Sequence, residues 1–175
     1  MPDSRWDLAR LSAGERSALK RNAGMMMDSA SMQAIEAFYR ALTVHCRPYE
    51  EKAWFAALCM ECLWREEDHP QKRPFPDLLR VMYQNKDSTE STRKKCTSFF
   101  DALWADDGYL LGKIFNLVHK MRAENASVMP DFELLADDLA RWNHHDRYIQ
   151  RRWLNTICRT EQAQEETEED NKNVD

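Results

Sequence analysis

"EEKAWFAALCMECLW", residues 50–64, is apolar nearly all the way round a helical projection. A surface helix keeps one polar face towards water, whereas a helix without such a face has to be surrounded by other elements. The stretch therefore predicts a central, buried helix on which amphipathic neighbours pack. Those neighbours are legible on either side. Upstream, Ser31 is placed to cap "MQAIEAFYRALTVHC", in which Ile35, Phe38, Tyr39 and Leu42 recur at helical spacing. Arg47-Pro48 then breaks that helix, and Pro48 suits the start of the next. Further upstream, Ser12 and Glu15 have the spacing of a capping box, so a helix begins there with Leu19 as its inward anchor.

Downstream, the proline-punctuated connector "REEDHPQKRPFP" leads to a short helix that is expected to begin at Asp77 and end near Gln84. Asp87 and Glu90 bracket another start, followed by Arg93-Lys94-Lys95 and then Phe99, Phe100, Leu103 and Trp104. In "GYLLGKIFNLVHKMRAE", Leu110, Ile114, Leu117 and Met121 form one stripe, while Lys113 and Lys120 share another. A loop at "NASVMP" precedes Asp131, the expected cap of "FELLADDLARW". A last helix over about residues 145–160 turns Ile149, Trp153 and Ile157 inward, with Arg151, Arg152 and Arg159 off that stripe. With no convincing strand, the reading is all-α, a compact bundle of about seven to eight helices.

Composition agrees. The chain of 175 residues is 43% hydrophobic with only four glycines, which suits one helical domain over residues 1–160. The net charge of −5 is unevenly spread, because residues 161–175 hold seven acids against the single base Lys172. That segment reads as an acidic, disordered tail, and it leaves a nearly neutral body able to carry a basic face. No apolar run approaches the ~18–20 residues that span a bilayer. With no signal-like N-terminus, the expected location is cytoplasmic, without membrane contact. The five cysteines, Cys46, Cys59, Cys62, Cys96 and Cys158, are then expected to be reduced, buried small hydrophobes.

Catalytic machinery is hard to find. The Cys59-Met-Glu-Cys62 pair would need two further zinc ligands. The only local pair, His144-His145, puts side chains about 100° apart on a helix. His145-Asp146 in a helical protein raises the alternative of an HD-type metal-dependent phosphohydrolase, with His45 or His69 as the first ligand. The later aspartate it needs could only be Asp170 or Asp175, both in the tail, where no site can be preorganised. Four isolated glycines build neither a phosphate loop nor a nucleophile elbow. No catalytic residue, metal or cofactor is expected. What remains is positive charge at Lys20-Arg21, Arg40, Lys94-Lys95, Lys113, Lys120, and Arg141 with Arg147, Arg151 and Arg152. Singly each is an ordinary solvated face. Their recurrence at element ends would, on folding, make a track that neutralises phosphates.

"GERSALKRNAG", followed after a spacer by "AFYRAL", resembles the N-terminal signature of the CasB family, the small subunit of the type I-E CRISPR surveillance complex, Cascade. The similarity continues through the central apolar helix, Lys94-Lys95 before an aromatic-rich helix, and Lys113 before "IFNLV". It ends at "PDFELLADDLARWNHHDRYIQRRW", so it covers roughly residues 5–158 and leaves out the acidic tail. The resemblance implies an all-helical, non-enzymatic subunit, present beside a second copy of itself and the other Cascade subunits. Such a subunit braces the guide RNA–target DNA hybrid and holds the displaced strand in antiviral defence. It further implies that Lys20 and Arg21 face nucleic acid, as do Arg40, Lys94, Lys95, Lys113 and Arg147 at similarly placed positions. Arg141, Arg151 and Arg152 would face nucleic acid or neighbouring subunits. Where the family has a Lys-Arg pair just before the position of Arg147, this chain has His144-His145-Asp146. Imidazoles carry less positive charge than Lys-Arg near neutral pH.

The purified protein is accordingly expected to hydrolyse neither nucleotides nor nucleic acid in the presence of Mn²⁺, Zn²⁺ or Mg²⁺. Metal-dependent turnover that disappears in His145→Ala would contradict this reading.

Overall fold

The computed structural model describes residues 4–64, 70–85, 90–105 and 107–159. At its centre α3 (Glu51–Glu61) is enclosed as its sequence demands, with every residue from Ala53 to Trp64 buried. Around it stand α1 (Ala13–Arg21), α2 (Met32–Ala41), α6 (Asp107–Glu124) and α7 (Phe132–Ala140), of which α7 makes the most extensive contact. The remaining helices, α4 (Phe75–Gln84), α5 (Glu90–Ala102) and α8 (Tyr148–Cys158), pack as α4 against α8 and α5, and α5 against α6. Among the described residues there are thus eight α-helices, the expected bundle, and none is long and apolar enough to cross a membrane. The acidic segment 161–175 and the start signal at Asp87 lie outside the described residues.

Local chemistry sets the helix starts. Ser12 and Glu15 form the capping box: Ser12 Oγ accepts the Glu15 N–H at 3.3 Å, and Glu15 Oε2 accepts the Ser12 N–H at 2.9 Å. Ser31 Oγ accepts from Ala34 N at 3.3 Å, and Asp131 Oδ1 from the N–H groups of Glu133 and Leu134, both at 3.1 Å. Several boundaries differ from the sequence reading, among them the start of α3, which lies at Glu51 and not at Pro48. Helix α2 stops at Ala41, because Leu42 is extended and bridges to Trp6, with Asp7 N–H donating to Ala41 O and Thr43 N–H to Arg5 O. Helix α4 starts at Phe75, ahead of Asp77, with Pro76 in its first turn, where the missing N–H costs nothing. Helix α8 starts only at Tyr148, because Arg147 takes a left-handed conformation (φ 52°) that cannot continue a right-handed helix.

One small element was absent from the sequence expectation. β1 (Gln71–Arg73) and β2 (Val128–Pro130) pair in parallel, Lys72 opposite Met129. Three residues are too few to show strand alternation, and Gln-Lys-Arg is wholly exposed, so nothing in composition marked it.

An aromatic cluster closes the second half of the core. Trp153 of α8 lies 4.9 Å from Trp142, 5.2 Å from Phe75 of α4 and 6.0 Å from Phe99 of α5, centroid to centroid. Its Nε1 donates to Asp138 Oδ2 of α7 at 2.6 Å, so this one side chain joins four segments. At the end of α1, Gly24 (φ 80°) passes so close to α6 that a Cβ would sit 2.7 Å from the Phe115 ring. The cysteines divide: Cys46, Cys59, Cys62 and Cys96 are buried free thiols, as expected, but Cys158 at the end of α8 is exposed.

The charged exception within the buried segment is Glu61. Its Oε2 accepts from Trp6 Nε1 at 2.6 Å, and its Oε1 lies 3.5 Å from Lys72 Nζ, linking the N-terminal segment, α3 and β1. Burial pushes its carboxyl above the usual glutamate range, against the opposing pull of Lys72 and Trp6. A folded-state pKa above the unfolded one means that the folded protein holds the extra proton. This contribution to stability is complete below the ordinary glutamate pKa of about 4.3 and is lost as pH rises through the folded value. Glu61→Gln keeps an acceptor for Trp6 but cannot titrate. In urea unfolding at a series of pH values, wild type is expected to lose stability relative to Glu61→Gln on going from acid to neutral pH. A difference that is flat or of opposite sign would contradict the burial account.

Candidate nucleic-acid interface

The basic residues picked out by sequence separate into three groups once folded. In the first, Lys94 and Lys95 of α5 meet Lys113 of α6 along one groove of about 470 Å³, lined also by Glu90, Ser91, Ser98 and Asn116. The packing of α5 on α6 creates this juxtaposition, since Lys95 and Lys113 come from different helices. Lys94 pairs with Glu90 at 2.8 Å one turn away, and both side chains are exposed, a type of pair that contributes little and is easily exchanged. Lys113 Nζ lies 4.7 Å above the Tyr109 ring. Lys95 makes no ion pair with any described residue. Three ammoniums against one carboxylate leave the groove cationic. Lys120 lies two turns beyond Lys113 on α6, half-buried and paired with Glu124 at 3.3 Å, and does not line the groove.

The second group sits on α1 and α2. Lys20 and Arg21 are exposed in the last turn of α1, where they complement the helix dipole, while Leu19 is fully buried. Arg21 Nη1 donates to Ser17 Oγ at 2.9 Å, and Lys20 has no ion-pair partner among the described residues. Arg40 of α2 is held differently, in an ion pair with Glu15. Glu15 is kept below the usual carboxylate range, first by the hydrogen bonds from Ser12 and then by Arg40. The capping box of α1 thus doubles as the anchor for α2.

In the third group arginines face carboxylates. Arg152 pairs with Asp138, and Arg141 lies 3.9 Å from Asp137; all four line a groove that also holds Asp77. Asp138 also receives the Trp153 indole, so Arg152 compensates a carboxylate that the core already uses. Arg151 is exposed. Arg147, the left-handed residue before α8, has Nη1 3.5 Å from Asn143 Oδ1. Beside it, His145 Nε2 lies 3.0 Å from Asp146 Oδ1, and His144 Nδ1 3.7 Å from Asp146 Oδ2, all on the surface. Among the described residues this is the one cluster of potential metal ligands, and His45 is not part of it; His69 lies outside the described residues. Cys59 and Cys62 are both buried and are not part of that cluster. Burial raises both thiols, Cys62 to about 12.

A fourth cluster escapes sequence reasoning. Arg73 of β1, Arg80 of α4 and Arg159 after α8 line a groove of about 480 Å³ with Asp77, Asn155 and Thr156. Arg80 and Arg159 are far apart in the chain, and only the packing of α4 on α8 brings them together.

The family model for CRISPR-associated protein Cse2 matches residues 15–156, a span that contains the α5–α6 groove and all of the sequence-selected basic residues. No curated protein matches the chain. Among solved structures, a chain of a "CRISPR RNA-guided surveillance complex" shares the fold with TM-score 0.66 at 21% identity, covering 89% of this chain and 88% of that one. A chain of a "CRISPR RNA-guided surveillance complex, pre-nicking" gives 0.68 at 18% identity, with 89% and 88% covered. CasB of M. ruber gives 0.66 at 16% identity, with 93% of each chain covered. The resemblance to CasB read from short motifs therefore holds along the folded body, and the chain belongs to the CRISPR-associated protein Cse2 family.

Proposed function

We propose that this chain is a non-catalytic subunit of a type I-E CRISPR RNA-guided surveillance complex, where it grips nucleic-acid backbone along its basic face. In that role it steadies the guide RNA–target DNA hybrid and the displaced DNA strand, alongside other Cascade subunits and a second copy of itself. The observation that carries the reading is the meeting of Lys94, Lys95 and Lys113 in one open groove with a single opposing carboxylate. Family membership and the complexes named for its structural neighbours supply the setting. Replacing a DNA duplex by a guide–target hybrid is nearly balanced in energy, so a few phosphate contacts are enough to tip it. Lysines are suited to this, since they neutralise phosphates without reading bases, and sequence is read by the guide. Exposed Lys20, Arg21 and Arg151 extend the surface open to phosphate, whereas Arg40, Arg141 and Arg152 act first as internal counter-charges.

The test is DNA affinity of the assembled complex at several salt concentrations. Lys94→Ala/Lys95→Ala/Lys113→Ala is expected to weaken binding to all target sequences alike. It should also flatten the log–log salt slope by up to ~0.7 for each lost single-strand contact. Arg152→Ala should instead lower the melting temperature, by leaving Asp138 without its counter-charge, and keep the slope. An unchanged slope and affinity in the triple variant would overturn the proposal.

A further inference from the structure

The groove formed by Arg73, Arg80 and Arg159 differs in kind from the lysine groove. Three guanidiniums face one carboxylate, Asp77, and the remaining polar lining, Asn155 and Thr156, is neutral. Arg73 is engaged, Nη2 donating to Gln71 Oε1 at 3.3 Å, but neither Arg80 nor Arg159 forms an ion pair with any described residue. The groove has a stable wall. Gln84 at the end of α4 donates to the carbonyls of Ile157 and Arg159, at 3.2 and 2.8 Å, which pins the end of α8 against α4. Planar guanidiniums engage a carboxylate, like a phosphate, with two hydrogen bonds each, which ammoniums cannot do.

Arg159 is also where the chain enters its most acidic stretch. Glu161, Glu165, Glu166, Glu168, Glu169 and Asp170 follow it. Extended chain spans at most ~3.3–3.6 Å per residue, so Glu165 and Glu166 can turn back to a groove whose rim is Arg159 itself. Tethering over so few residues gives an effective concentration in the millimolar range. We propose that the acidic segment after Arg159 docks into the Arg73–Arg80–Arg159 groove of its own chain. It covers these guanidiniums and keeps them from adding non-specific phosphate contacts to those of the lysine groove. Charge complementarity and the point of exit select this occupant over a separate acidic partner.

The test uses the full chain without nucleic acid, so its outcome is independent of the function proposed above. A nitroxide is attached at Glu168→Cys in a Cys158→Ser background, the other cysteines being buried. At low salt, backbone amide resonances of residues 73–81 and 155–159 are expected to broaden beyond detection, while those of α1 and of the lysine groove keep their intensity. At ~1 M salt, where the Debye length is ~3 Å, the broadened signals should return. They should also return at low salt in Arg80→Glu/Arg159→Glu. Should that variant not fold, the salt titration of the original protein decides alone. Unbroadened signals at low salt, broadening spread evenly over the surface, or broadening centred on Lys94, Lys95 and Lys113 would each overturn the proposal.

Discussion

Helix α3 has no polar face to give to water, and the rest of the architecture follows from covering it. From Ala53 to Trp64 every side chain is buried, so helices are required on all sides and the N-terminal segment has to close the remaining gap. Arg5 and Trp6 close it. Arg5 lies 5.0 Å over the Trp54 ring and pairs with Asp137 of α7 at 2.5 Å, while the Trp6 indole reaches Glu61. Leaving α2 at Leu42 to bridge with Trp6 is the backbone counterpart of the same closure. Because α7 is the main cover of α3, Asp137 and Asp138 are fixed in place, and with them the arginines that neutralise them.

This division of labour among cations gives the surface its character. Arg5, Arg40 and Arg152 are directed at carboxylates of neighbouring elements and act as clasps between them, while Arg141 lies near Asp137 one turn back on its own helix. Lys20, Lys95, Lys113, Arg80 and Arg151 form no ion pair with any described residue. Lysine fills the α5–α6 groove and arginine the α4–α8 groove. An ammonium acts as a mobile point charge, whereas a guanidinium presents a planar fork that pairs with carboxylate or phosphate through two hydrogen bonds.

Much of this was legible in the residues alone. Caps at Ser12, Ser31 and Asp131, the apolar run of α3 and the stripe of α6 are local signals, and each produced the element expected. The three-residue strands, the early stop of α2 and the late start of α8 were not, because each depends on a distant partner or on one residue's unusual φ. The same rule holds for the site. Lys94-Lys95 announces itself by adjacency, but its meeting with Lys113 needs the packing of α5 on α6. Arg141 and Arg152 look like free charge in sequence, although Asp137 and Asp138, which hold them, are nearby in the same quoted stretch. Arg80 has no basic neighbour in sequence and emerges only when α4 meets α8.

The central claim is that nucleic acid lies along the α5–α6 groove. Ultraviolet cross-linking of the assembled complex on its DNA target, with adducts mapped by mass spectrometry, tests it without altering a residue. Adducts on peptides from residues 90–124, centred on Lys94, Lys95 and Lys113, are the predicted result. Adducts confined to other faces of the subunit, with these peptides recovered unmodified, would contradict it.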